Sequence, residues 1–186
     1  MTDLPDLLLQ HAMTRLQHIR TALEGAAPSI ATAAESLLTT CLQGHRVFLC
    51  PQPETQALAE QAASLLLNGM VQPRPGLPVI LLHPLPGEGP GCLQQIGSLA
   101  APGDALLALA GGRPEGLESL IDTARQYGMR LILLGSPVPE SVASHLMEED
   151  LVIRLDTPCP ASQREASLAA VHALCEALDH RLLGLA

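Results

Sequence analysis

Aromatic side chains are almost missing from this chain: Phe48 and Tyr127 make up 1% of its 186 residues, and there is no tryptophan. Readers of RNA and of single strands stack bases on aromatic platforms, so that mode of recognition is excluded. Basic residues are scarce as well. Lys+Arg number 10 against 19 Asp+Glu, a formal net charge of −9, and no basic cluster exists to neutralise a phosphate backbone. Direct nucleic-acid binding is not expected, and any role in DNA metabolism would run through a protein partner. No apolar stretch approaches the ~20 residues that a bilayer demands, and Met1 is followed by Thr2-Asp3 rather than by a basic segment. The expectation is no membrane span, no secretion and a cytoplasmic location. The cysteines Cys41, Cys50, Cys92, Cys159 and Cys175 are odd in number and irregularly spaced, which fits reduced, mostly buried thiols rather than a disulfide framework.

What is present is aliphatic: hydrophobic residues make up 47% of the chain, so a core must be built from Leu, Ala, Val and Ile. The length suits one domain, 1–186, with helices over 1–44 serving oligomerisation and an α/β core over 45–186. Leu9, Met13, Leu16, Ile19 and Leu23 recur at helical spacing over 4–24, with Gly25 as a stop. A second helix is predicted from Pro28 to Gln43, closed by Gly44. From Arg46 onward strands and helices alternate: strands 46–50, 78–82, 104–109, 129–134 and 151–155, and helices 54–69, 91–99, 115–127, 139–146 and 161–183. Short aliphatic strands joined by helical crossovers predict a doubly wound, five-stranded parallel sheet in the order 2-1-3-4-5, with two N-terminal helices and a long C-terminal helix. The Pro/Gly-rich stretches 73–78 and 84–91 are loops. In such a sheet the ligand crevice lies at the carboxyl ends of strands one and three.

Both turns at that crevice are unusual. A strand-turn-helix junction points free N–H groups and a positive dipole end at an anion, and a phosphate belongs there. Yet the first turn, Pro51-Gln52-Pro53-Glu54-Thr55-Gln56, has no glycine, two prolines and a carboxylate. The second, Ala110-Gly111-Gly112-Arg113-Pro114-Glu115, keeps two glycines but adds Pro114 and Glu115. A carboxylate ~4 Å from a phosphate repels it by on the order of 1–4 kcal/mol.

From about residue 36 to 183 the chain resembles the sugar isomerase (SIS) domain family, within it the phosphoheptose isomerase branch and the related DnaA initiator-associating proteins. The resemblance rests on Leu42-Gln43-Gly44-His45-Arg46-Val47 entering strand one and on Arg74-Pro75-Gly76-Leu77-Pro78-Val79-Ile80 entering strand two. It rests also on Pro102-Gly103-Asp104-Ala105-Leu106-Leu107-Ala108-Leu109 at strand three and on Arg164-Glu165 opening the last helix. It implies a Gly-Asn-Gly-x-Ser phosphate turn where Pro51-Gln52-Pro53-Glu54-Thr55 stands, with Thr55 alone keeping a hydroxyl. The Ser-Thr-x-Gly-Asn-Ser turn falls on Ala110 to Glu115, which supplies none. It also implies a Glu base on the first crossover helix and a His acid on the last; these positions fall on Leu65 and Ser167, and Glu165 survives alone from the Gln-Glu-x-His motif. A non-catalytic protein that binds another protein is therefore expected, as a regulator of chromosome replication whose partner would be the initiator DnaA. The alternative is a phosphosugar isomerase for sedoheptulose 7-phosphate, or a sugar-phosphate binder.

The expected vestigial pocket comprises Gln52, Glu54, Thr55, Arg113, Glu115 and Glu165, with no catalytic residue, cofactor or metal. Glu54 in a first helical turn reads first as dipole stabilisation. His172, Cys175 and Asp179, at i, i+3 and i+7, could face a metal but fit a packed face better. His11 and His18 share a face and read as solvated or interfacial. Leu182, Leu183 and Leu185 end the chain in an apolar cluster suited to an oligomer or partner contact, and a homotetramer is the expected assembly.

Overall fold

The computed structural model describes residues 3–83, 91–111, 115–135 and 138–185. Its elements are α1 (Leu4–Leu42), β1 (Val47–Pro51), α2 (Gln56–Asn68), β2 (Val79–Leu81), α3 (Gly91–Leu99), β3 (Ala105–Leu109), α4 (Leu117–Gln126), β4 (Arg130–Leu134), α5 (Glu140–Ala143), β5 (Leu151–Ile153) and α6 (Pro160–Leu183). The sheet is five-stranded and parallel, in the order β2-β1-β3-β4-β5. This is the predicted topology, and each predicted strand lies within two residues of an observed one.

Alternation along the central strands divides the core into two faces. Val47, Leu49, Ala105, Leu107, Leu109, Ile132 and Leu134 face α1, α2 and α6. Phe48, Cys50, Leu106, Ala108, Leu131 and Leu133 face α3 and α4. Every residue of β1 and β3 is buried, as parallel strands covered on both sides must be. The crossovers leaving β1 and β3 pass to opposite faces, which opens the crevice at their carboxyl ends.

The N-terminal region departs from expectation. One unbroken helix of 39 residues replaces the two predicted ones, with Pro28 inside it. Gly25 does not adopt the left-handed conformation that ends helices, whereas Gly44, at φ 82°, does. Pro28 removes one N–H from the ladder, a cost of up to ~3 kcal/mol in a helix interior. The buried row Ala22, Ala26, Ile30, Ala33, Ala34 and Leu37 runs across that point within the core shared with α6, and its burial offsets the break. At ~1.5 Å per residue α1 is about 58 Å long. Its first half carries Leu4, Leu8, Leu9, Met13 and Leu16 exposed by 57% or more.

At the amino ends of the strands, opposite the crevice, buried Asp104 accepts hydrogen bonds from the N–H of Arg46 at 2.8 Å and of Ala101 at 2.9 Å. The Arg46 guanidinium adds a third at 3.3 Å. These bonds pin β1 to β3.

Candidate functional site

The crevice is occupied by protein groups where an anion would sit. Gln52 follows β1 and is buried; its Oε1 accepts the N–H of Gly111 at 2.6 Å and its Nε2 donates to the Glu115 carbonyl at 3.4 Å. A side-chain amide thus takes up a backbone donor of the second turn and stitches the two turns together. Pro53–Thr55 form a single 3₁₀ turn before α2. The Thr55 hydroxyl donates to the Leu109 carbonyl at 2.7 Å, with the Gln52 carbonyl also at 3.1 Å. It ties the turn after β1 to the end of β3 and has no hydrogen left for a ligand. The Glu54 side chain packs over Gly111, whose missing Cβ would lie 3.1 Å from Glu54 Cβ and Oε2.

Beside these turns opens a cavity of about 580 Å³ between the start of α2 and the first half of α6. Glu54, Thr55, Ala57, Leu58 and Gln61 form one wall, with Ala110 and Gly111 at its base. The α6 wall presents Pro160, Gln163, Arg164, Ser167, Leu168 and His172, residues that helical spacing gathers on one face. Ser167 is 5% exposed.

Of the residues expected here, Gln52, Glu54 and Thr55 do gather at the crevice. Two do not reach the cavity. Glu165 points to the other side of α6 and pairs with Arg15 of α1 at 3.4 Å, because one residue's rotation from Arg164 turns it about 100° around the helix. Glu115 is exposed and contributes its backbone carbonyl rather than its carboxylate. Arg113 lies outside the described residues, as do positions 84–90 of the second predicted loop. Arg164, Gln163 and Gln61 were missed. The recurrence of Arg164, Leu168 and His172 at i, i+4 and i+8 was the signal that could have found the α6 wall.

The His172, Cys175 and Asp179 set is dispersed along its helix, since i and i+7 are about 10 Å apart. His172 lines the cavity. Cys175 is fully buried, and burial first, then the nearby Asp179 carboxylate, push its thiol up to about 12. Asp179 is equally buried and binds the Arg74 guanidinium and the N–H groups of Met70 and Val71. Burial alone would raise its pKa; the Val71 N–H, Arg74 and the Met70 N–H together outweigh that and hold it below the ordinary carboxylate range. This clamp fastens the turn after α2 to α6, the two helices that wall the cavity. Among the described residues no group of three His, Cys, Asp or Glu could hold a metal. Cys41, Cys50, Cys92, Cys159 and Cys175 are all free.

The remaining candidates sit on α1 and the chain end. His18 Nδ1 lies 3.2 Å from the buried Ser162 hydroxyl at the start of α6, an interfacial histidine, whereas His11 is exposed. Leu182 packs against the core, Leu183 is half-buried, and Leu185 is 45% exposed. The apolar end is therefore partly covered by its own domain. Leu65, at the position of the expected base, packs half-buried against the core and is not among the residues lining the cavity.

Comparison with known proteins agrees with this geometry. The phosphoheptose isomerase of Thiobacillus denitrificans is 27% identical over 98% of each chain, and that of Halorhodospira halophila is 28% identical over 88% of each. Among solved structures, a phosphoheptose isomerase from Francisella tularensis matches with a TM-score of 0.81 at 24% identity, over 97% of this chain and all of the other. The HobA–DnaA (domain I-II) complex of Helicobacter pylori matches with a TM-score of 0.61 at 16% identity, over 100% of this chain and 99% of that one. No protein-family model matches. The chain resembles phosphoheptose isomerases along nearly its whole length and has the SIS-type α/β fold. No helix among the described residues is long and apolar enough to cross a membrane.

Proposed function

We propose that this chain is a non-catalytic relative of the phosphoheptose isomerases that acts by binding another protein, as a DnaA-associating regulator of replication initiation. One observation carries the reading: at the crevice the Gly111 N–H is bonded to Gln52 and the Glu54 side chain packs over Gly111, so an amide and a carboxylate stand where an anion would be held. The resemblance sets the isomerase base and acid positions on Leu65, which cannot titrate, and on Ser167, which makes no hydrogen bond to a base among the described residues. The likeness to HobA, solved as a complex with DnaA, supports a protein partner of that kind, and the acidic charge keeps nucleic acid itself from being that partner.

The partner-binding form is a homo-oligomer, a tetramer built from dimers, assembled through residues 1–44. The exposed Leu9, Met13 and Leu16 lie on one stripe of α1, at i, i+4 and i+7. Symmetric assembly would cover this stripe and present several copies of one partner surface, raising avidity. The protein works in the cytoplasm, where such a partner resides.

A second reading is favoured by the similarity to phosphoheptose isomerases and by Glu54, Arg164 and His172 lining one cavity, groups that could move a proton by a rearranged site. Two assays separate the readings. Immobilised protein is tested for binding of purified DnaA amino-terminal domain, and free protein for turnover of sedoheptulose 7-phosphate. Saturable DnaA binding without turnover is expected; turnover without DnaA binding would replace the proposal with the second reading.

A further inference from the structure

The α6 wall of the cavity holds polar groups with no protein partner. The Gln163 amide nitrogen is buried and makes no hydrogen bond, while its oxygen accepts from the Thr157 hydroxyl at 3.1 Å. Ser167, 5% exposed, has no hydrogen-bond partner among the described residues. Arg164 likewise has no carboxylate partner among them, unlike neighbouring Glu165, which has Arg15. Buried polar groups are nearly always satisfied in native proteins, and an exception calls for a missing partner. Gln163 Nε2 is the exception of that kind and is sealed behind the wall, whereas the Arg164 guanidinium is exposed; Arg164 and the Ser167 hydroxyl line the cavity and can both donate to an acceptor held in it.

We infer that this cavity is a binding site for a small organic carboxylate with an apolar body, held by Arg164 and Ser167. The inference goes beyond the partner-binding reading and does not depend on it. A carboxylate matches the planar fork of a guanidinium, and a remaining lone pair suits the Ser167 hydroxyl. A phosphomonoester fits less well. It needs several backbone donors around a dianion, whereas here the Gly111 N–H is already taken and the Glu54 carboxylate on the facing wall repels a dianion about twice as strongly as a monoanion. The rest of the lining selects the ligand body. Ala57, Leu58, Ala110, Pro160 and Leu168 offer a hydrocarbon ring apolar cover, while Gln61 and His172 leave room for one polar substituent on it. The volume of about 580 Å³ lies within the range of small-molecule sites.

The test compares cyclohexanecarboxylate, cyclohexyl phosphate and cyclohexanol, which share one body and differ in head group. Binding to the full chain is measured by ligand-observed NMR titration up to about 20 mM, against affinities weak enough for a ligand of this size. Cyclohexanecarboxylate is expected to bind saturably, and the other two about tenfold more weakly or not at all. Arg164→Gln, on an exposed residue whose loss leaves the fold intact, is expected to weaken the carboxylate about tenfold and cyclohexanol hardly at all. Ser167→Ala is expected to weaken the carboxylate a few-fold. No saturable binding, equal binding of the alcohol, tighter binding of the phosphate, or indifference to Arg164→Gln would each overturn the inference.

Discussion

Replacing Asp179 with asparagine removes the charge from a fully buried ionic group. The side chains of Asp179 and Arg74 are 0% and 2% exposed, so the change leaves a guanidinium without its counter-ion in the interior. Breaking such a pair from one side costs about 3–5 kcal/mol. Asparagine keeps one acceptor oxygen for Met70, Val71 or Arg74, which places the expected loss near the lower end, about 3 kcal/mol. For a chain of this length that corresponds to a fall in Tm of roughly 6–12 °C. Urea unfolding monitored by circular dichroism measures it directly. The double variant Arg74→Met with Asp179→Leu should recover most of the loss, because an apolar pair of similar volume substitutes well for a buried ion pair, and the N–H groups of Met70 and Val71 sit on exposed residues that water can reach. The pH dependence follows in sign. Since the folded-state pKa of Asp179 is lowered, its stabilisation is fully present above the ordinary carboxylate pKa of ~4 and is lost as pH falls through the lowered value. The gap between wild type and Asp179→Asn should therefore be constant from neutral pH to about 5 and shrink below about 4. A loss under about 1 kcal/mol, or a double variant as unstable as the sum of the singles, would refute the reasoning.

Neither the native chain nor Leu65→Glu with Ser167→His should isomerise sedoheptulose 7-phosphate, because Glu54 and Gln52 still fill the phosphate crevice; a coupled spectrophotometric assay checks both. Pro28→Ala should raise stability by about 1–3 kcal/mol in urea unfolding, since the helix already runs through that position and regains one backbone bond. Asp104→Ala should cost about 2–4 kcal/mol, leaving the Arg46 and Ala101 N–H groups without their acceptor. Leu9→Glu, Met13→Glu and Leu16→Glu together should lower the mass seen by native mass spectrometry to that of a smaller assembly while leaving the circular dichroism spectrum unchanged, as the stripe is exposed within one chain.

The strand order and both faces of the sheet were legible in the residues themselves. Runs such as Ala105-Leu106-Leu107-Ala108-Leu109, apolar at every position and separated by helical crossovers, admit only a parallel sheet covered on both sides, and right-handed connections leave few orders to choose from. The unusual make-up of the two turns was equally legible, because glycine and hydroxyl residues are either present or absent. Side-chain direction was not. Helical period groups Arg164, Leu168 and His172 on one face and sets Glu165 apart, but which face meets the cavity and which meets Arg15 depends on where α1 docks. The continuity of α1 through Gly25 and Pro28 was decided in the same way: local signals there favour a break, and burial of Ala22, Ala26, Ile30 and Ala33 on one side of the sheet outweighs them. Local chemistry sets what each segment can do, and only the packed neighbour supplies the partner that makes Gln52 a stitch between two turns and Asp179 a clamp.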